Sequence, residues 1–196
     1  MPISDQHKLI LVHIPKNAGT SITNHLDMDD VGHHNWYYYA RKYSNKWREY
    51  KKISIIRNSW DRVVSCYEYA KMENSYWHSS DGKSEAGKHP DYELLKDKTF
   101  EECLHILDTN PSVLRHHGWP PQYHYITKKN SLMVDKIIDI QNINEELSSL
   151  LKTPVELPII NVSKIKNYKD YYINKKMVDI VGGKYKEDIK YFNFKF

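Results

Sequence analysis

Lys8-Leu-Ile-Leu-Val-His-Ile-Pro-Lys-Asn-Ala-Gly-Thr-Ser-Ile-Thr-Asn-His-Leu26 decides how this chain reads. Lys8 to Ile14 is a continuous apolar run of strand length, the pattern of a strand buried on both faces in a parallel sheet. Pro15 ends it, and Ser21 to Leu26 starts a helix. Strand, tight loop and helix open an α/β unit. The loop between them, Lys16-Asn17-Ala18-Gly19-Thr20-Ser21, has the chemistry of an oxyanion site. Backbone N–H groups at a helix start converge on one point, and the helix dipole adds positive charge there. Gly19 and Ala18 allow close approach, Lys16 brings an ammonium, and Thr20 and Ser21 bring hydroxyls. The plainer alternative is a turn capped by a threonine. It is not a Walker A loop, because the lysine precedes the only glycine of the segment instead of following one.

Moving outward, Lys52 to Arg57 reads as a second strand that also ends in a polar turn, Asn58-Ser59. Trp60, Val63, Val64, Tyr67 and Ala70 then fall on one helical face running to about Met72. Arg57 ends the strand and Ser65 lies inside the helix. Together they can bracket one phosphate, since arginine grips phosphate oxygens as a fork. The structural alternative pairs Arg57 with Asp61 or Glu68.

Composition narrows the class. The chain has 196 residues, the size of one domain spanning 1–196. Its 16 Tyr, 5 Trp and 4 Phe are ample core material, which excludes disorder as the main state. No apolar run approaches the ~20 residues of a membrane span, and Met1 to Lys8 lacks a signal peptide's pattern, so a cytoplasmic protein is expected. Cys66 and Cys103 read as reduced core residues. A net charge of +4 suits an anionic ligand of modest size and is too small for a dedicated nucleic-acid binder.

Further along, Glu73 to Pro90 reads as a long mobile loop (73–90). Thr99-Phe-Glu-Glu102 is a capping box opening a helix whose buried face holds Phe100, Cys103, Leu104 and Leu107. Residues 112–126 read as irregular, and Leu132 to Ile140 as a third strand. Asn144 is expected to cap a helix, and Gly182-Gly183 to interrupt or bend the last one.

The two loop segments resemble the sulfotransferases that use 3′-phosphoadenosine 5′-phosphosulfate (PAPS). More narrowly, they are similar to the carbohydrate branch, sulfotransferase family 2, with its heparan sulfate and chondroitin enzymes. That family's phosphosulfate loop, hPKxAGTS, is matched by Ile14-Pro-Lys-Asn-Ala-Gly-Thr-Ser21. Its 3′-phosphate segment, RNPWDRhVS, is matched by Arg57-Asn-Ser-Trp-Asp-Arg-Val-Val-Ser65, with Ser59 in place of proline. Weaker likenesses follow in Trp119-Pro-Pro-Gln122, in Val134 to Ile143 and in Tyr185 to Phe194. The resemblance implies a P-loop-like three-layer α/β fold with a central parallel sheet flanked by helices. It implies PAPS as donor and 3′,5′-ADP (PAP) as product, with no metal. The donor would be held by Lys16, Asn17, Ala18, Gly19, Thr20, Ser21, Arg57 and Ser65. Lys16 would also stabilise the leaving phosphate.

An acceptor hydroxyl needs a general base, and histidine titrates in the right range. The family carries one between the two donor segments, where this chain has Gly32-His33-His34-Asn-Trp36. One alignment favours His33 and the other His34. For the acceptor, a carbohydrate or another small hydroxyl compound, Tyr76, Trp77 and Lys83 in the 73–90 loop and His117 are the candidates, because rings stack on sugars and cations pair with acidic groups. Rival readings are a kinase-like P-loop protein, which lacks its Walker loop, and a non-catalytic PAP- or RNA-binding module, which lacks an RNA-fold signature.

Overall fold

A computed structural model describes residues 2–28, 32–72, 74–75, 85–86, 89–157 and 167–196. In chain order the elements begin β1 (Ile3–Ser4), β2 (Leu9–Leu11), α1 (Gly19–His25), α2 (Trp36–Lys42), α3 (Ser44–Glu49), β3 (Lys51–Ile56) and α4 (Ser59–Ala70). There follow β4 (Asn74–Ser75), β5 (Glu85–Ala86), α5 (Tyr92–Leu95), α6 (Phe100–Thr109), α7 (Tyr123–Ile126), β6 (Thr127–Lys128) and β7 (Ser131–Leu132). The last are β8 (Lys136–Asp139), α8 (Ile143–Leu151), α9 (Lys175–Lys184) and α10 (Lys186–Phe192). They form two compact units: Met1–Arg57 with Pro120–Val162, and Asn58–Trp119 with Ser163–Phe196.

The first unit holds the central sheet, in the order β1-β2-β3-β8. β2 and β3 are parallel with Leu11 opposite Ile53, and β3 and β8 are parallel with Ile55 opposite Ile138. The sheet is therefore mostly parallel. The exception is β1, which lies antiparallel on the β2 edge. Ile53, Ser54, Ile55 and Ile56 are all buried, so β3 is covered on both faces, as its nearly continuous apolar run requires. The one polar member is satisfied, since Ser54 Oγ donates to Val12 O at 2.8 Å. On one face, Leu9, Leu11, Ile53, Ile55 and Ile138 pack with Ile22 and Leu26 of α1 and Leu147 of α8. Each such side chain contributes about 1.5–3 kcal/mol of transfer free energy. The fold is thus mixed α/β, with helices flanking a mostly parallel sheet.

Several expectations need correction. The third strand is broken: Ser131–Leu132 pairs back on Thr127–Lys128 as a hairpin, and only Lys136–Asp139 joins the main sheet. Left-handed Lys129 and Asn130 make that hairpin turn. Asn144 does not cap α8. Its carboxamide oxygen accepts Leu157 N–H at 3.2 Å, which ties the chain after α8 back onto it. The 112–126 stretch contains the short helix α7.

In the second unit α4 is buried on the expected apolar face, and Arg62 and Ser65, which the pattern put off that face, are buried too. Phe100 of α6 meets the rings of Tyr67, Tyr171 and Tyr172 at 5.1–5.4 Å. The Thr99/Glu102 capping box is formed. The glycines do not interrupt α9, which runs through both to Lys184. Gly182 faces the Trp60 ring at ordinary contact distance, so tertiary packing outweighs a propensity cost of about 1 kcal/mol per glycine. Part of the 73–90 stretch is a two-strand ribbon, Asn74 opposite Ala86. Cys66 and Cys103 are buried and not joined to each other by a disulfide. Among the described residues no helix is long and apolar enough to cross a membrane.

Candidate active site

The C-terminal ends of β2 and β3 lie side by side because the strands are parallel neighbours. Ligands of open α/β sheets bind beyond such ends. The loop after β2 has an unusual backbone. Lys16 (φ 69°) and Ala18 (φ 58°) both adopt the left-handed conformation, which costs a non-glycine residue about 1–2 kcal/mol. Left-handed residues of this kind occur in backbone concavities that bind anions.

Side chains hold this loop in place. Asn17, 1% exposed, donates from Nδ2 to Ile55 O (2.7 Å) and to Gln122 Oε1 (2.6 Å). Gln122 in turn grips the end of β3. Its Oε1 accepts Arg57 N–H (3.0 Å) and its Nε2 donates to Arg57 O (2.8 Å). The Arg57 guanidinium donates from Nη1 to Lys16 O at 3.2 Å, which joins the two loop segments directly. The Asn17 side chain is therefore a brace. Lys16, Ala18 and Thr20 are half-buried and Ser21 is buried.

Gly19 needs to be glycine for a reason the sequence did not show. A Cβ there would lie 1.7 Å from Nε2 of His13, whose buried ring occupies that space. The His13 ring meets His33 edge-on, with centroids 4.2 Å apart. His34 instead stacks on Tyr38, with centroids 3.7 Å apart. Both His33 and His34 line a cleft of about 350 Å³, with Tyr38, His124 and Tyr125 among the other walls. That volume lies in the range of small-molecule sites. The described lining includes no carboxylate.

The first unit thus brings together Lys16 to Ser21, Arg57, His33 and His34. Ser65 and His117 belong to the second unit, Ser65 buried on α4 and His117 exposed beside His116. Tyr76, Trp77 and Lys83 lie outside the described residues. Sequence reasoning missed His13, Gln122, His124 and Tyr125 as site residues. Two were within reach: His13 is the one polar residue in the buried run, and Gln122 closes the Trp-Pro-Pro-Gln segment.

The arrangement sets a loop with left-handed residues, Lys16, Arg57 and two imidazoles at a cleft within one unit. Neither the curated proteins nor the solved structures returned a match to the chain. A family model described as "Sulfotransferase family" matches residues 1–195. With that match over nearly its whole length, the chain belongs to the sulfotransferase family, and its chemistry is sulfuryl transfer.

Proposed function

We propose that the chain transfers a sulfuryl group from PAPS to a hydroxyl of a carbohydrate, with His33 as general base. One observation carries the reading: the loop, Arg57 and the His33 cleft are linked by direct contacts within one unit. The residues fit a phosphosulfate group, since backbone N–H groups of a left-handed loop, an ammonium and a guanidinium are all donors.

When bound, PAPS supplies the sulfuryl group and a phosphate leaving group. Lys16 neutralises charge that grows on the leaving phosphate oxygen as its bond to sulfur breaks. Such stabilisation matters most where charge develops in the transition state. His33 takes the proton of the acceptor hydroxyl as the new oxygen–sulfur bond forms. His33 is preferred to His34 because its ring is in contact with His13, which packs on Gly19 of the loop; His34 is turned onto Tyr38. Arg57 is assigned to the 3′-phosphate, and Ser65 joins it on motif likeness alone. The cleft beside His33 and His34 takes the acceptor, and residues 1–196 are read as one sulfotransferase domain.

Calorimetric binding of PAP, with 5′-ADP and ATP as controls, tests the donor reading. Clear preference for PAP is expected. Arg57→Ala should weaken PAP by about 2 kcal/mol, the scale of a lost charged hydrogen-bond partner. Lys16→Ala should abolish transfer. Equal binding of the three nucleotides overturns the donor assignment.

A further inference from the structure

We propose that His13 is a positioning residue: its ring sets the His33 imidazole against the donor loop, through a space that Gly19 leaves open. The proposal rests on the reading of His33 as the base and extends it to a residue that never meets substrate.

His13 is an odd occupant of its place. Its chain neighbours Val12 and Ile14 are 0% and 1% exposed, and it is itself 4% exposed at the tail of a core strand. Packing alone would be met there by an aliphatic side chain. The ring lies over Gly19, where an added Cβ would fall 1.7 Å from Nε2 and 2.0 Å from Cδ2. It also meets His33 edge-on at 4.2 Å between centroids, closer than the usual ring–ring spacing of about 4.5–7 Å. Loop, His13 and His33 therefore form one continuous contact.

His33 lies in a segment without regular secondary structure, ahead of α2, whose Tyr38 N–H is capped by the Asn35 side chain. A half-buried imidazole on irregular backbone is oriented by what it touches. A base must be held closely in line with the reacting atoms, and small misplacements lower rates strongly. The contact also gives the donor loop a route to the base, since a shift of Gly19 on donor binding would be felt by His13 and passed to His33.

The test uses the full chain with ¹³C-labelled histidine, with the His33 Cε1–H signal assigned through His33→Ala. In His13→Ala that signal should shift and its relaxation should report a more mobile ring. Adding PAP should move the His33 signal in the unsubstituted protein and leave it nearly unmoved in His13→Ala. Transfer from labelled PAPS to a panel of neutral and acidic oligosaccharides should fall at least about tenfold in kcat, with PAP affinity held within about twofold. A purely structural loss would weaken PAP binding as well. His13→Ala added to His33→Ala should cost nothing further. His13→Asn carries the same expectations if the alanine variant does not fold. An unchanged His33 signal, or multiplying losses in the double variant, overturns the proposal. Full transfer by His33→Ala overturns the base reading and with it the catalytic meaning of His13, an outcome distinct from the first.

Discussion

Replacing Gln122 should show whether the site is braced as its hydrogen bonds indicate. Gln122 is 0% exposed, and three of its hydrogen bonds bear on the loop and on β3: one from Asn17, one from Arg57 N–H and one to Arg57 O. Gln122→Ala removes all three. Asn17 Nδ2 keeps its bond to Ile55 O, so its loss is about 1 kcal/mol. The two Arg57 backbone groups lose their partner in a half-buried place, at about 1 kcal/mol each where water gives partial relief. The sum is about 3 kcal/mol. Gln122→Glu separates shape from chemistry. The acceptor oxygen is kept, but the atom that donated to Arg57 O becomes a second oxygen. Ionised, it would face a carbonyl without exposure to water. Two N–H donors favour the charged form, while burial, which shifts carboxyls by up to 3–5 units, and the facing carbonyl oppose it more strongly. The introduced carboxyl should therefore titrate above its unfolded value of about 4.3. With the folded value raised, its stabilising contribution is complete below about pH 4 and is lost as pH rises through the folded pKa. Urea unfolding followed by circular dichroism between pH 5 and 8 measures both variants. A Gln122→Ala protein within about 0.5 kcal/mol of the unsubstituted one, or a Gln122→Glu protein indifferent to pH, would refute the reasoning.

Gly19→Ala should cost several kcal/mol or displace His13, because the new methyl lies inside the imidazole's volume; a crystal structure with His13 unmoved would contradict this. Asp91 is 1% exposed and accepts Arg115 N–H (2.6 Å), His116 N–H (3.1 Å) and the Trp119 indole N–H (2.8 Å). Asp91→Ala orphans three donors and should destabilise the second unit by about 3–5 kcal/mol, read from the urea midpoint. Burial pushes the Cys103 thiol up to about 12 and holds the Tyr172 and Tyr185 hydroxyls above the usual tyrosine value. All three folded values are raised, so the stability they support is complete below about pH 9 and is lost as pH climbs toward 12. The urea midpoint should be flat from pH 7 to 8.5 and fall above pH 9.5; a flat profile to pH 11 would show these groups to be solvated.

The parts legible in the sequence are those encoded locally. The apolar runs Leu9–Leu11 and Ile53–Ile56, the loop between Pro15 and Ser21, the α4 face and the Thr99 capping box each depend on residues a few positions apart. What escaped depends on distant partners. The Asn17–Gln122 bond joins residues 105 positions apart, and the Arg57–Gln122 pair spans 65. Neither leaves a periodic trace. Helices α2 and α3 also escaped, because Trp36-Tyr-Tyr-Tyr39 is weak in helix propensity and reads equally as a lining of rings. Asn35 supplies the missing signal, its side chain accepting Tyr38 N–H at 3.3 Å. The two-residue strand β1 is too short to register as a pattern at all.

The candidate site itself follows from one topological fact. β2 and β3 are parallel, so the chain must cross over between them, and α1 to α3 make that crossover. Parallel pairing sets both strand ends on the same edge of the sheet. Lys16 and Arg57, 41 positions apart, therefore meet there without any residue being selected for long-range pairing. The crossover begins at the loop after β2 and carries His33 and His34 on its way back. The strand that delivers Lys16 also delivers His13, and the segment that returns past it delivers His33, so the ring contact arises where the path doubles back on itself. An antiparallel hairpin could join the same strands with far fewer residues, but it would set the two strand ends at opposite edges and leave the loop without its arginine.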